Sequence, residues 1–186
     1  RYVLEVRYSG TPEPVEAPTT RDDFSTTGFT ITPSGEVWTM QEPYGAHTWY
    51  PVNDQPSDKA LYDFTLSVPS PWVGVANGEL LDRAEQNGST TTRWRLAEPA
   101  ASYLTTVAFG DYTMTSNASA SGVEIAYWVP SNEPELAPGL ESAAPALDWL
   151  EDKLGPYPFD NLGFVLVDSE SGMETQTMIT LGKTDY

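Results

Sequence analysis

LYDFTLSVPSPWVGVANG, residues 61 to 78, decides the fold. Leu61, Asp63, Thr65 and Ser67 alternate with Tyr62, Phe64, Leu66 and Val68, the period-two pattern of a strand with one wet face and one buried face. A second apolar run, WVGVANG, follows Pro71 and closes on Asn77-Gly78, a dipeptide with turn chemistry. Outward from this pair, the same kind of run recurs as YVLEVRY, GFTITP, EVWTM, TTRWRL, YLTTVAFGDYTM and VEIAYWV, with a further turn signal at Asn87-Gly88. Many short strands at close spacing predict a mainly β chain, an antiparallel sandwich or open sheet. No internal repeat is present.

Composition narrows the function classes. At 39% hydrophobic residues with six tryptophans, the 186-residue chain can bury a real core. Nine basic residues against 27 acidic ones give a formal charge of −18, which argues against nucleic acid or an anionic membrane as partner. Cysteine is absent and histidine occurs once, at His47. A zinc site draws on several His or Cys ligands, so this stretch closes none by itself. No apolar run approaches the roughly 18 residues of a membrane-spanning helix, and no signal-peptide pattern is present. The opening YVLEVRY reads as a strand, so the chain is expected to begin inside a domain. Few lysines, no cysteine and Ser/Thr-rich turns lean towards an exported, bacterial protein.

The pattern changes after residue 130. Between Ser131 and Gly155, Leu140, Ala143, Ala144, Leu147, Leu150 and Leu154 recur at three-to-four spacing. That predicts one amphipathic helix ended by Gly155-Pro156, with Pro145 either kinking it or marking its true first turn. A strand follows at 162–167. Then FVLVDSESGMETQTMITLG, residues 164 to 182, alternates like a strand yet carries Gly172, Met173 and Glu174 in its middle.

Three stretches together resemble zinc aminopeptidases of the aminopeptidase N type. GPYPFDNLGFVLVDSESGMETQ is similar to the start of their catalytic domain, where a helix, a PYP-like turn and a strand lead into a Gly-x-Met-Glu-Asn segment. EPYGAHTWYPVNDQPSDKALYDFTLSVP resembles the hallmark of their N-terminal β-domain, an acidic residue before a "WWP…D.P..KA" run and a long strand. YLTTVAFGDY resembles the strand that closes that domain. The departures are Ser171 at the family's first Gly, Thr175 at its Asn, and Met40 at its Gln, although Gln41 adjoins Glu42. Some change in the polarity of the substrate pocket is expected from them.

The resemblance implies a division into residues 1–132, a sandwich or saddle-like N-terminal β-domain able to fold alone, and 133–186, the truncated start of an α+β, thermolysin-like catalytic domain. It implies a zinc metallopeptidase whose His-Glu-x-x-His helix and further Glu ligand lie beyond Tyr186. Zinc is therefore expected in the full-length protein and not in this stretch, which holds no catalytic residue. The expected partners are peptides with a free N-terminus. By the match, Glu174 holds the substrate's α-ammonium, a charge-assisted bond that restricts cleavage to the first residue. Glu42 is the second carboxylate at the same ammonium. Gly172 admits the backbone closely, and Met173 and Gln41 complete the substrate-binding set.

The same residues also have plain readings. Glu174 can be an ordinary wet strand position and Glu42 a turn acid before Pro43. His47 fits a structural role, Asp54 and Asp58 fit turn caps, and Trp49, Tyr50 and Trp72 fit packing. Two other functions fit the sequence: a non-catalytic scaffold relative, and a carbohydrate-binding β-sandwich.

Overall fold

The computed structural model describes residues 2–19 and 24–183. Its strands, in chain order, are β1 (Val15–Glu16), β2 (Thr26–Ile31), β3 (Val37–Met40), β4 (Ala60–Pro69), β5 (Val73–Ala76) and β6 (Glu79–Gln86). Then come β7 (Ser89–Ala100), β8 (Val107–Gly110), β9 (Tyr112–Ala118), β10 (Glu124–Pro130), β11 (Asn161–Val167) and β12 (Ile179–Gly182). Two helices, α1 (Ala137–Leu140) and α2 (Ala143–Leu154), lie between β10 and β11.

The chain is mainly β, with antiparallel sheets. The run at 61–78 forms two strands that part into different sheets. β4 edges a three-stranded sheet ordered β4-β7-β6, while β5 edges a five-stranded sheet ordered β1-β2-β3-β8-β5. The expected alternation in β4 is present: Tyr62, Phe64, Leu66 and Val68 are half-buried and the residues between them exposed. In β7, Thr90, Thr92, Trp94 and Leu96 point inward, and Arg93 and Arg95 face solvent. The β6–β7 hairpin turns at Asn87-Gly88, both at positive φ (53° and 76°), as a two-residue turn requires.

A third sheet, ordered β12-β11-β10-β9, pairs β9 with β10 antiparallel but β10 with β11 and β11 with β12 parallel. Its two faces serve two cores. Trp128, Val165 and Val167 turn towards the β-sandwich and join Met40, Val73, Val75, Trp94, Met173 and Met178. Ile125, Tyr127, Val129, Leu162 and Leu166 turn the other way, beneath Leu140, Ala144 and Leu147 of the helices. Odd and even positions of one strand thus bind the sandwich to the helical layer.

This sheet crosses the boundary expected at 132/133. β10 pairs with β11 from Glu124↔Asn161 to Trp128↔Val165, so the division at 132/133 cuts through a ladder. Three expectations change. YVLEVRY forms no strand, and Tyr2, Val3 and Leu4 are 92%, 97% and 77% exposed. Its alternation is real, but no described strand pairs with it, and an unpaired strand is not stable in water. The single helix over 131–155 is a 3-10 turn at Pro134–Leu136, then α1, then α2. Pro145 sits in the first turn of α2, where its missing N–H is no loss. Finally, 164–182 is not one strand: β11 stops at Val167, and an irregular segment precedes β12. No helix among the described residues is long and apolar enough to cross a membrane.

Candidate functional site

β11 ends against the sandwich, and the chain then folds back along β12. Ser169 N–H donates to Val167 O (2.9 Å) and Ser171 N–H to Ser169 Oγ (3.1 Å). The chain passes so close over Gly182 that a Cβ there would lie 2.5 Å from Ser169 O and 2.7 Å from Ser171 O. Met173 then bridges Thr180 in both directions, N–H to O at 2.8 Å and O to N–H at 3.0 Å. Residues 173–180 are therefore a tight hairpin on the outer edge of β12. Thr175 N–H donates to Met173 O (3.0 Å), and the Thr175 hydroxyl donates to Met178 O.

This geometry sorts the residues around Glu174. Met173 and Thr175 are buried, at 6% and 3% exposure, whereas Gly172 and Glu174 are exposed. With both neighbours anchored inward, the Glu174 carboxylate points outward by the alternation of extended chain. Among the described residues it has no hydrogen bond and no ion pair. It lines a cavity of about 610 Å³ between α2 and the third sheet. Leu147, Leu150, Leu154, Tyr157 and Phe164 supply most of its apolar wall. Burial and the charge of Glu98 push the Tyr157 phenol up to about 12, so it stays neutral at physiological pH. A carboxylate on an apolar, half-enclosed wall is suited to a cation with an attached apolar group.

The hairpin is held from behind by the turn after β5. Asn77, fully buried, donates through Nδ2 to Gln176 O (2.6 Å) and Leu104 O (3.0 Å) and accepts Thr106 N–H at Oδ1 (2.5 Å). Gly78 N–H donates to Thr177 Oγ1 (2.8 Å). The sequence showed Asn77-Gly78 only as a turn; nothing local signals its second partner.

The β3 end reaches the same neighbourhood. Ser169 Oγ lies 3.9 Å from Met40 Sδ, and Glu42 follows two residues later, exposed and without a described partner. Glu42 does not line the Glu174 cavity, and the two carboxylates do not contact each other. Gln41 is corrected outright. It is fully buried, its Nε2 donates to Ser102 O (2.9 Å), Thr105 O (2.6 Å) and Thr105 Oγ1 (2.9 Å), and its Oε1 accepts Trp49 Nε1–H (3.0 Å). Both ends of that buried amide are engaged within the protein, so Gln41 is a strut between β3 and the 102–105 turn.

Asp54 and His47 form a separate structural knot. Asp54 Oδ2 accepts Gly45 N–H (2.9 Å), His47 N–H (3.2 Å) and His47 Nδ1–H (2.7 Å), and Oδ1 accepts the Ser102 hydroxyl (2.8 Å). Burial opposes the charge on Asp54, but these bonds outweigh it and hold the carboxyl below the usual aspartate range. The described residues do not fit a zinc site. No three His, Cys, Asp or Glu side chains gather anywhere among them, and the one histidine has a ring nitrogen engaged by Asp54. Four of the six tryptophans are packing residues: Trp94 and Trp128 meet edge-on in the core (5.7 Å), and Trp38 and Trp49 pack against it.

Comparison with known proteins follows the same lines. A family model described as the peptidase M1 N-terminal domain matches residues 2–104. The chain is 26% identical over 152 residues to aminopeptidase M1-B of Oryza sativa subsp. japonica, covering 78% of this chain and 17% of that protein. It superposes on the crystal structure of an M1 zinc metallopeptidase from Deinococcus radiodurans with a TM-score of 0.76 at 24% identity, covering 94% of this chain and 40% of the other. On Legionella pneumophila aminopeptidase A, solved with aspartic acid, the TM-score is 0.73 at 22% identity, with 83% and 19% covered. The chain thus spans about a sixth of the length of the curated relative.

Proposed function

The chain belongs to the peptidase M1 N-terminal domain family, and from that premise we propose that it is the substrate-anchoring part of a zinc-dependent aminopeptidase. It supplies the β-rich scaffold and the edge hairpin of the cleft. The metal and its ligands belong to other parts of the enzyme. Glu174 receives the α-ammonium of a peptide's first residue, and Glu42 stands at the end of β3 as a second, weaker attraction for the same charge.

One observation carries the reading. Glu174 is an exposed, unpartnered carboxylate on a hairpin whose flanking residues are buried, beside an apolar cavity of about 610 Å³. A solvent-facing strand glutamate needs neither the anchored neighbours nor the apolar wall. An ammonium bound there is partly desolvated, which strengthens its bond to the carboxylate. A substrate lacking that ammonium leaves the carboxylate unpaired, which is how such a site rejects it.

The test is made on the full-length enzyme. Peptides with a free N-terminus should lose one residue at a time, and a metal chelator should abolish the release. Release of internal fragments, or activity untouched by chelation, overturns the assignment. Binding of oligosaccharides with no peptide hydrolysis would favour a carbohydrate-binding sandwich instead.

A further inference from the structure

The Asn77-Gly78 turn reaches across the molecule. Its two bonds to the Glu174 hairpin, Asn77 Nδ2 to Gln176 O and Gly78 N–H to Thr177 Oγ1, each join residues 99 positions apart. They grip the consecutive residues 176 and 177, which form the tip of the hairpin. Asn161 Nδ2 adds a bond from the start of β11 to Gly78 O (2.9 Å), so the turn also ties down the strand that leads into the site.

The chemistry of the two turn residues is specific to this job. Asn77 is buried at 0% exposure and needs two donors and one acceptor, which only a short carboxamide supplies. An aspartate would set negative charge against the carbonyls of Leu104 and Gln176. Gly78 has φ 89°, and a Cβ on it would lie 2.0 Å from Arg95 O and 2.3 Å from Arg95 C. Only glycine lets the turn pass so close to β7. At the far end, Thr177 is held at φ 63°, a left-handed conformation that a β-branched residue adopts only when its surroundings impose it. Its hydroxyl accepts Gly78 N–H and donates to Gln176 O (2.6 Å).

We propose that the Asn77-Gly78 turn positions the substrate site: through the Asn77 carboxamide on Gln176 O and the Gly78 N–H on Thr177 Oγ1 it fixes the 173–180 hairpin and so aims the Glu174 carboxylate. This rests on the reading of Glu174 as the ammonium anchor. The two-strand bridge at Met173 and Thr180 is a single rung, too little to hold an edge segment in one geometry. The β-rich scaffold therefore sets the reach of a residue it does not itself carry.

The experiment uses the full-length enzyme with Asn77→Ala and Thr177→Val, each alone and combined with Glu174→Ala. Thr177→Val removes the Gly78 bond and keeps the bonds of Asn77 to Leu104 and Thr106, so it carries the test if Asn77→Ala does not fold. Two readouts are taken. The first is the ratio of kcat/KM for an aminoacyl anilide to that for its des-amino analogue. The second is amide hydrogen exchange at Met173 and Thr180, compared with β4 and β7. Each latch variant should lower the ratio about 5- to 30-fold, have no further effect on it in the Glu174→Ala background, and speed exchange at Met173 and Thr180 alone. Equal losses on both substrates, or exchange raised everywhere, mean a purely structural role and overturn the proposal. If Glu174→Ala collapses the ratio while both latch variants keep it, the anchor stands and the latch falls. If Glu174→Ala leaves the ratio intact, the anchor reading fails, and unchanged exchange at Met173 and Thr180 would then refute the latch independently.

Discussion

Replacing Glu174 by glutamine removes one charge and almost nothing else. The side chain is exposed and makes no described hydrogen bond or ion pair, so folding stability should change by less than about 0.5 kcal/mol. The effect belongs to the bound state. On the proposed reading the carboxylate there meets an ammonium beside the apolar wall of Leu147, Leu150, Tyr157 and Phe164. A hydrogen bond to a charged group contributes about 1.5–3 kcal/mol net, and the open mouth of the cavity favours this range over the larger values of sealed ion pairs. Converted to rate, the loss in kcat/KM is about 10- to 150-fold. The assay is hydrolysis of an aminoacyl anilide and its des-amino analogue by the full-length enzyme, with the melting temperature measured alongside. The amine-bearing substrate should suffer the whole loss and the analogue little. Equal losses on both substrates, no loss on either, or a fall of several degrees in melting temperature would refute the anchoring role.

Asp54→Asn should destabilise the chain by about 1–3 kcal/mol at neutral pH, because three donors converge on one oxygen that the amide serves less well. The folded carboxyl lies below its unfolded value, so its contribution is complete above about pH 4 and fades as pH falls through the folded value. Thermal melts of both proteins should differ at pH 7 and approach each other as acid protonates Asp54; a gap that does not narrow as pH falls would be inconsistent with the knot. Glu42→Gln should lower selectivity for the free amine less than Glu174→Gln does, since Glu42 lies off the cavity; a larger effect would reverse their ranking. A chain ending at residue 132 should lose cooperative melting. It strips β10 of β11 and uncovers Ile125, Tyr127 and Val129, now 0%, 2% and 3% exposed. Those three side chains account for roughly 5–8 kcal/mol of burial, comparable to a domain's whole stability. A sharp transition at the temperature of the intact chain would refute this.

The sequence disclosed what repeats with a fixed period and what turns on special residues. β4 was legible because each of its faces meets one environment, and the β6–β7 turn because Asn87-Gly88 allows positive φ at both positions. β6 itself was not, since ELLDRAEQ is exposed along almost its whole length, and a strand wet on both faces shows no alternation. YVLEVRY erred in the opposite sense: the alternation is present, and the ladder that would use it is not among the described strands. The division at 132/133 followed the switch from strand to helix in the sequence. Sheets, however, are assembled by hydrogen bonding regardless of chain order, and β11 returned to pair with β10.

The candidate site shows the same limit more sharply. Glu174 could be singled out because it stands in a recognisable segment, and the flanking Met173 and Thr175 then supply the reason it faces outward. Gln41 was assigned to the substrate by its place beside Glu42, yet side-chain direction reverses at each step of an extended chain. The residue that ends inside the 102–105 turn cannot also reach the cleft. Asn77 is the converse case. Its sequence neighbourhood says only that the chain turns, and its other partners are 27, 29 and 99 residues away. A buried carboxamide with three satisfied bonds has no substitute that keeps all three. The geometry of Glu174 therefore depends on a residue whose role becomes visible only once β5, the 104–106 segment and the edge hairpin are seen to converge on one side chain.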